Sequence, residues 1–198
     1  MKRTTEFGIN FSLWDWSDLE AATVDLSRQI QASGKSYDRI IALANGGLTM
    51  VRLLGDRLGT TKISSVQLSF YQGINDVKKE PQIIQPLTAK VSNQNVLIFE
   101  DIVDTGATLE FALEYLKNHG VTSVETAALA VKPHSKIMPE FHAVVEESWV
   151  IYPYEARETI EELSAKWQAK GIALPDVHAA LHNIGFNPDD IAMFSLLQ

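Results

Sequence analysis

The run Val96-Leu97-Ile98-Phe99-Glu100-Asp101-Ile102-Val103-Asp104-Thr105-Gly106-Ala107-Thr108 limits what this chain can fold into more than any other segment. Its four leading apolar residues read as a strand buried on both faces, the pattern of a parallel sheet covered by helices. The two acids that follow are expected to emerge together at the strand's end. Gly106 then supplies a turn, and Leu109, Ala112, Leu113 and Leu116 recur at helical spacing, with Gly120 just beyond as a stop. A strand, a polar turn and a helix start in that order aim backbone N–H groups and the hydroxyls of Thr105 and Thr108 at one point. Such a helix N-terminus is a phosphate cradle.

The rest of the chain repeats the plan. Ser17, Asp18, Leu19 and Glu20 have the S-x-x-E form of a capping box, and Leu19, Ala22, Leu26 and Ile30 give the helix an apolar face that ends near Gly34. Arg39 to Ala44 reads as a buried strand broken at Asn45-Gly46-Gly47 and followed by a helix closed by Gly59. Ile63 to Phe70 and Ser123 to Val131 read as further strands. The polar stretch Tyr71 to Glu80 has no apolar period and reads as a mobile loop. Alternating strands and helices predict an α/β fold, a mainly parallel sheet flanked by helices. Ligands of such sheets sit beyond the carboxyl ends of the strands, where the glycine-bearing loops Asn45–Gly47 and Glu100–Gly106 both fall.

At 198 residues the chain has material for one substantial core. After Pro153 the pattern turns helical: Ala156 to Lys170, Pro175 to Ile184, and a last short helix opened by Asn187-Pro188. The expected organisation is a main domain over 1–155 and a helical extension over 156–198. The absence of cysteine excludes disulfides, thiolate metal sites and cysteine nucleophiles. With 25 acidic against 17 basic residues the net charge is −8, which disfavours nucleic acid as a partner. No segment has the apolar length of a membrane span or the form of a signal peptide, so a cytoplasmic location is expected.

Residue for residue, the Val96–Thr108 run resembles the phosphoribosyl pyrophosphate signature of the type I phosphoribosyltransferases. The resemblance covers about Trp14 to Glu155. It implies that Thr105, Gly106, Ala107 and Thr108 hold the donor's phosphate, that Glu100 and Asp101 grip its ribose hydroxyls, and that Asp104 belongs to the same donor-binding set and is the general base. Ala44-Asn45-Gly46-Gly47-Leu48 looks like the family's pyrophosphate loop, with Asn45 where many purine-salvage members carry Lys or Arg. Ser69-Phe70-Tyr71 resembles the start of its mobile catalytic loop. The resemblance also implies Mg²⁺ as cofactor, bound mainly through the donor, with Glu100 and Asp101 as the protein's candidate contributors.

Val131-Lys132-Pro133-His134-Ser135 and Glu147-Ser148-Trp149-Val150-Ile151-Tyr152-Pro153-Tyr154-Glu155 resemble the base-binding parts of bacterial and archaeal xanthine-guanine and hypoxanthine phosphoribosyltransferases. By that resemblance a small hood spans about 132–154. Lys132 would donate to a purine 6-oxo group, Trp149 would stack on the ring, and carbonyls near Val150 and Ile151 would meet its amino edge. Taken alone, Trp149 reads as a core aromatic and Lys132 as a surface lysine. The implied partners are phosphoribosyl pyrophosphate, a purine base, and further copies of the chain in a dimer or tetramer. The rival reading is a ligand-sensing regulator that keeps the fold and the motif without catalysis. His119, His134, His142, His178 and His182 lack the company of a metal motif and read as surface histidines.

Overall fold

The computed structural model describes residues 1–71 and 80–195. In chain order the strands are β1 (Lys2–Glu6), β2 (Ile9–Leu13), β3 (Arg39–Ala44), β4 (Ile63–Tyr71), β5 (Glu80–Gln85), β6 (Asn95–Val103), β7 (Ser123–Val131), β8 (Phe141–Val145) and β9 (Trp149–Ile151). The helices are α1 (Trp16–Ala32), α2 (Leu48–Arg57), α3 (Ala107–Asn118), α4 (Ala156–Ala169), α5 (Leu174–Ile184) and α6 (Pro188–Phe194). They form two compact units, residues 19–146 and residues 1–18 with 147–198.

The larger unit is built on a six-stranded sheet in the order β5-β4-β3-β6-β7-β8. All pairings are parallel except that of β5 with β4. Ile41, Leu43, Val66, Val96 and Ile98 from the sheet pack with Leu109, Ala112 and Leu116 of α3, all at most 3% exposed. The mixed α/β fold with helices flanking a mainly parallel sheet is as expected. Because β6 lies beside β3 while the chain leaves β3 for β4 on its other side, the strand order reverses between β3 and β6. That reversal is where open α/β sheets bind ligands.

Three local expectations are corrected. The acids Glu100 and Asp101 do not lie beyond their strand: β6 continues to Val103, with Glu100 opposite Ala128 and Ile102 opposite Ala130 of β7. The long apolar run of β7 offers a partner backbone as far as Val131, so pairing persists past the apolar quartet. As neighbours on one strand the two acids point to opposite faces rather than emerging together. The capping residue of α1 is Asp15, not Ser17. Asp15 Oδ1 accepts from Asp18 N at 2.8 Å and Asp18 Oδ2 accepts from Asp15 N at 3.0 Å, a reciprocal box two residues earlier than S-x-x-E. Ser17 donates to Asp15 instead, at 2.6 Å. Finally, Tyr71 and Glu80, read as loop ends, belong to β4 and β5 and pair with one another. Pro81 is tolerated in β5 because that strand is an edge. Residues 72–79 of the expected mobile loop lie outside the described residues.

The smaller unit carries the sheet β1-β2-β9. Phe7 and Gly8, both at positive φ (46° and 78°), form the two-residue turn that joins β1 to β2. Phe11 and Ile151 pack with Ile160, Leu163 and Trp167 of α4, Val177, Leu181 and Ile184 of α5, and Ile191 of α6. The three C-terminal helices fall where the sequence placed them. Asn187 caps α6, accepting from Asp189 N at 2.9 Å ahead of Pro188. Among the described residues no helix is long and apolar enough to cross a membrane.

Candidate active site

The pyrophosphate-loop candidates and the acidic strand end meet at the reversal point. Gly46 follows a cis peptide between Ala44 and Asn45. A β-carbon placed on Gly46 would stand 2.0 Å from Asp101 Oδ2. One on Gly47 would stand 2.6 Å from the Phe99 carbonyl and 2.7 Å from that of Leu43. Only glycine permits backbone to approach backbone and carboxylate this closely. Gly47 N donates to Leu43 O at 2.9 Å, and α2 starts at the next residue. Asn45 is exposed and its Oδ1 lies 3.5 Å from Gln67 Nε2.

Asp101 is buried and accepts from Ile102 N at 2.9 Å. Glu100, on the opposite face of the strand, is partly buried. Burial, followed by the charge of Asp101, pushes its carboxyl up to about 8. Beside it Glu100, Asp104, Thr105, Gly106, Thr108 and Leu109 line a hollow of about 80 Å³. That is far below the roughly 300–1,000 Å³ of a whole-ligand pocket, so the hollow is a subsite for one small group. Gly106, at φ 84°, turns the chain into α3, and Thr105 Oγ1 accepts from Ala107 N at 3.3 Å. A β-carbon on Gly106 would stand 3.0 Å from both Ile137 N and Ser135 Oγ, so glycine lets the chain lie close against the turn that follows β7.

That turn carries Lys132, which is buried. It is stitched to the β6 loop at both ends: Lys132 N donates to Val103 O at 2.9 Å and Lys136 N donates to Thr105 O at 3.1 Å. Between these bonds His134 Nε2 lies 2.9 Å from Asp104 Oδ1. The sequence reading missed this pair, having treated His134 as a surface histidine. The signal was available, since β6 and β7 are parallel neighbours and residues just past their ends must face one another. No group of three His, Asp or Glu side chains that would hold a metal occurs among the described residues.

Trp149, Val150 and Ile151 form β9 in the smaller unit, paired with Phe11, Ser12 and Leu13. The Trp149 ring is half-buried against the α4–α6 core. Phe11 lies at 6.0 Å between centroids and Lys166 Nζ stands 4.8 Å over the ring. Ile151 O accepts from Trp14 N at 2.9 Å. Ser69 is an exposed residue of β4, opposite Gln82. Tyr71 ends that strand, and its side chain lies outside the described residues.

Residues 12–156 match the phosphoribosyl transferase domain. The chain belongs to this family. Over 149 residues it is 26% identical to xanthine-guanine phosphoribosyltransferase from Gluconobacter oxydans, covering 74% of this chain and 86% of that protein. The crystal structure of purine phosphoribosyltransferase from Pyrococcus horikoshii is similar with a TM-score of 0.66 and 29% identity, over 73% of this chain and 93% of the other. A Neisseria gonorrhoeae protein crystallised with bound ppGpp gives the same TM-score at 27% identity, over 73% and 89% of the two chains. The family match ends where α4 begins.

Proposed function

We propose that this protein transfers the 5-phosphoribosyl group of phosphoribosyl pyrophosphate to a 6-oxopurine base (hypoxanthine, guanine or xanthine) and releases pyrophosphate, in cytoplasmic purine salvage. The observation that carries the reading is the convergence of the Asn45–Gly47 loop, the two acids of β6 and the hollow at the start of α3 on one edge of the sheet. In this reading Thr105 to Thr108 hold the 5-phosphate, Glu100 and Asp101 accept from the ribose hydroxyls, and Asn45, Gly46 and Gly47 face the pyrophosphate.

Mg²⁺ fits this donor set as a partner of the substrate. Two acids on opposite faces of a strand are too few to cage it, so Asp101, and Glu100 once the cation displaces its proton, would supplement oxygens of the donor. Bound there, it supplies positive charge to the departing pyrophosphate. Asp104 takes the proton released by the base. Lys132 donates to the 6-oxo group, Trp149 offers a stacking surface, and Val150 and Ile151 offer carbonyls, that of Ile151 through the lone pair Trp14 leaves open. Ser69 and Tyr71 would help to exclude water from the activated sugar. Relatives named for purine bases support the base class. Assembly as a dimer or tetramer is part of the proposal.

Pyrophosphate release on adding each base to the protein with Mg²⁺ and donor tests the reading, and a burst with at least one 6-oxopurine is expected. The second reading is a phosphoribosyl pyrophosphate- or nucleotide-binding regulator without turnover; the similar protein with bound ppGpp is compatible with nucleotide binding in either reading. It requires ligand binding with no pyrophosphate released by any base.

A further inference from the structure

We infer that His134 is a positioning residue for Asp104, holding one carboxylate oxygen so that the other faces the purine base. The inference rests on the transferase reading above and adds to it a residue outside the acidic motif. Nε2 of His134 and Oδ1 of Asp104 are 2.9 Å apart. An ionised carboxylate has only acceptors, so the imidazole must carry its proton on Nε2 and donate. The second oxygen, Oδ2, is left for the substrate.

The pairing is fixed by the backbone. Lys132 N to Val103 O, at 2.9 Å, and Lys136 N to Thr105 O, at 3.1 Å, bracket it on both sides. Each bond involves a residue two away from His134 on one strand and adjacent to Asp104 on the other. Ser135 N closes the turn by donating to Lys132 O at 3.0 Å, and Gly106 lets the two loops approach closely, since a β-carbon there would stand 3.0 Å from both Ser135 Oγ and Ile137 N. This four-residue frame sets the two residues face to face, within reach of each other's side chains. Both are well exposed, 61% and 64%. An exposed pair of this kind adds little to stability, so orientation is the effect it is suited to produce.

In the transfer a ring N–H bond of the base breaks and its electron pair stays on the purine. Another ring nitrogen bonds to ribose C1, and the C1–O bond breaks with its pair leaving on pyrophosphate. The proton goes to Asp104 Oδ2. A carboxylate free to rotate presents that oxygen only part of the time, whereas one held at Oδ1 presents it for a larger share of the time. The effect belongs to the chemical step and not to donor binding.

The test is steady-state kinetics of the full-length protein and its His134→Ala, His134→Gln, Asp104→Asn and His134→Ala/Asp104→Asn variants with the best base. His134→Ala is expected to lower kcat roughly 10-fold, the scale of a misplaced catalytic group, with KM for the donor unchanged. His134→Gln, whose amide still donates, should recover most of that loss. In the Asp104→Asn background removal of His134 should change kcat less than twofold, because neighbours that act as a unit are not additive. Wild-type kcat in His134→Ala, or an equal loss in both backgrounds, would overturn the inference while leaving the transferase reading intact. A wild type that releases no pyrophosphate with any base would overturn both.

Discussion

Gly46 faces the carboxylate of Asp101 at a distance that admits no β-carbon: one built there would lie 2.0 Å from Oδ2. The loop after β3 and Asp101 of β6 therefore form one interlocked surface. Gly46→Ala is expected to displace Asp101 and weaken donor binding, with most of the fold retained because a side chain can yield. Gly47→Ala meets two backbone carbonyls, of Phe99 and Leu43, and should cost more stability, roughly 1–3 kcal/mol as for an overpacked site. Thermal unfolding and calorimetric titration with phosphoribosyl pyrophosphate separate the two. Unchanged donor affinity in Gly46→Ala would detach this loop from the donor site.

Glu100 makes stability depend on pH. Its carboxyl holds a proton up to about pH 8 in the folded chain, against 4.5 for an exposed glutamate. Between those values the folded state binds a proton that the unfolded state has released, so stability falls as pH rises through the window and levels off above it. Glu100→Gln removes this component. The difference in unfolding free energy between wild type and variant, measured from pH 5 to 9, is expected to move steadily in the variant's favour, by on the order of a few kcal/mol. A difference that stays flat across the window would mean Glu100 ionises normally.

Much of the larger unit was legible in the sequence because the four apolar residues before Glu100 and their counterparts in β3 and β7, each bounded by glycine or polar turns, have the pattern of a buried parallel sheet. What was hidden is instructive. The apolar quartet marked the buried part of β6, yet the strand's length was set by its neighbour β7, a tertiary effect that a local pattern does not carry. Asp15 outcompeted Ser17 as cap through a reciprocal bond with Asp18, and both candidate boxes fit the same letters. The β1–β2 turn at Phe7-Gly8 lacks the Asn-Gly or Asp-Gly signature of such turns. His134 and Asp104 are 30 residues apart in sequence, and only strand adjacency joins them. Both readings of Trp149 retain their basis, since its ring is half-buried against a core that the C-terminal helices complete.

The hollow beside α3 gives a direct test of phosphate placement. Thr105→Val and Thr108→Val should each weaken binding of a purine nucleoside 5′-monophosphate by roughly 1.5–3 kcal/mol, the value of a hydrogen bond to a charged group. Calorimetry showing wild-type affinity in both variants would put the phosphate elsewhere.

Trp149 calls for two substitutions, because its ring contacts both Phe11 and Lys166. Trp149→Ala is expected to lower the unfolding temperature and to raise KM for the base more than for the donor, since base stacking contributes on the order of 1–3 kcal/mol. Trp149→Phe keeps an aromatic face and much of the packing, and should restore stability with most of the base affinity. Equal changes in KM for both substrates in both variants would assign Trp149 to the core alone.

The central claim is transfer of the phosphoribosyl group to a 6-oxopurine. Its most direct test is to incubate the protein with phosphoribosyl pyrophosphate, Mg²⁺ and, separately, hypoxanthine, guanine, xanthine or adenine, then quantify nucleotide and pyrophosphate together. A 5′-mononucleotide of at least one 6-oxopurine should form in equal amount to pyrophosphate, with none from adenine and a sharply lower rate in Asp104→Asn. Donor binding without nucleotide from any of the four bases would contradict the claim and leave a ligand-binding regulator on the same fold.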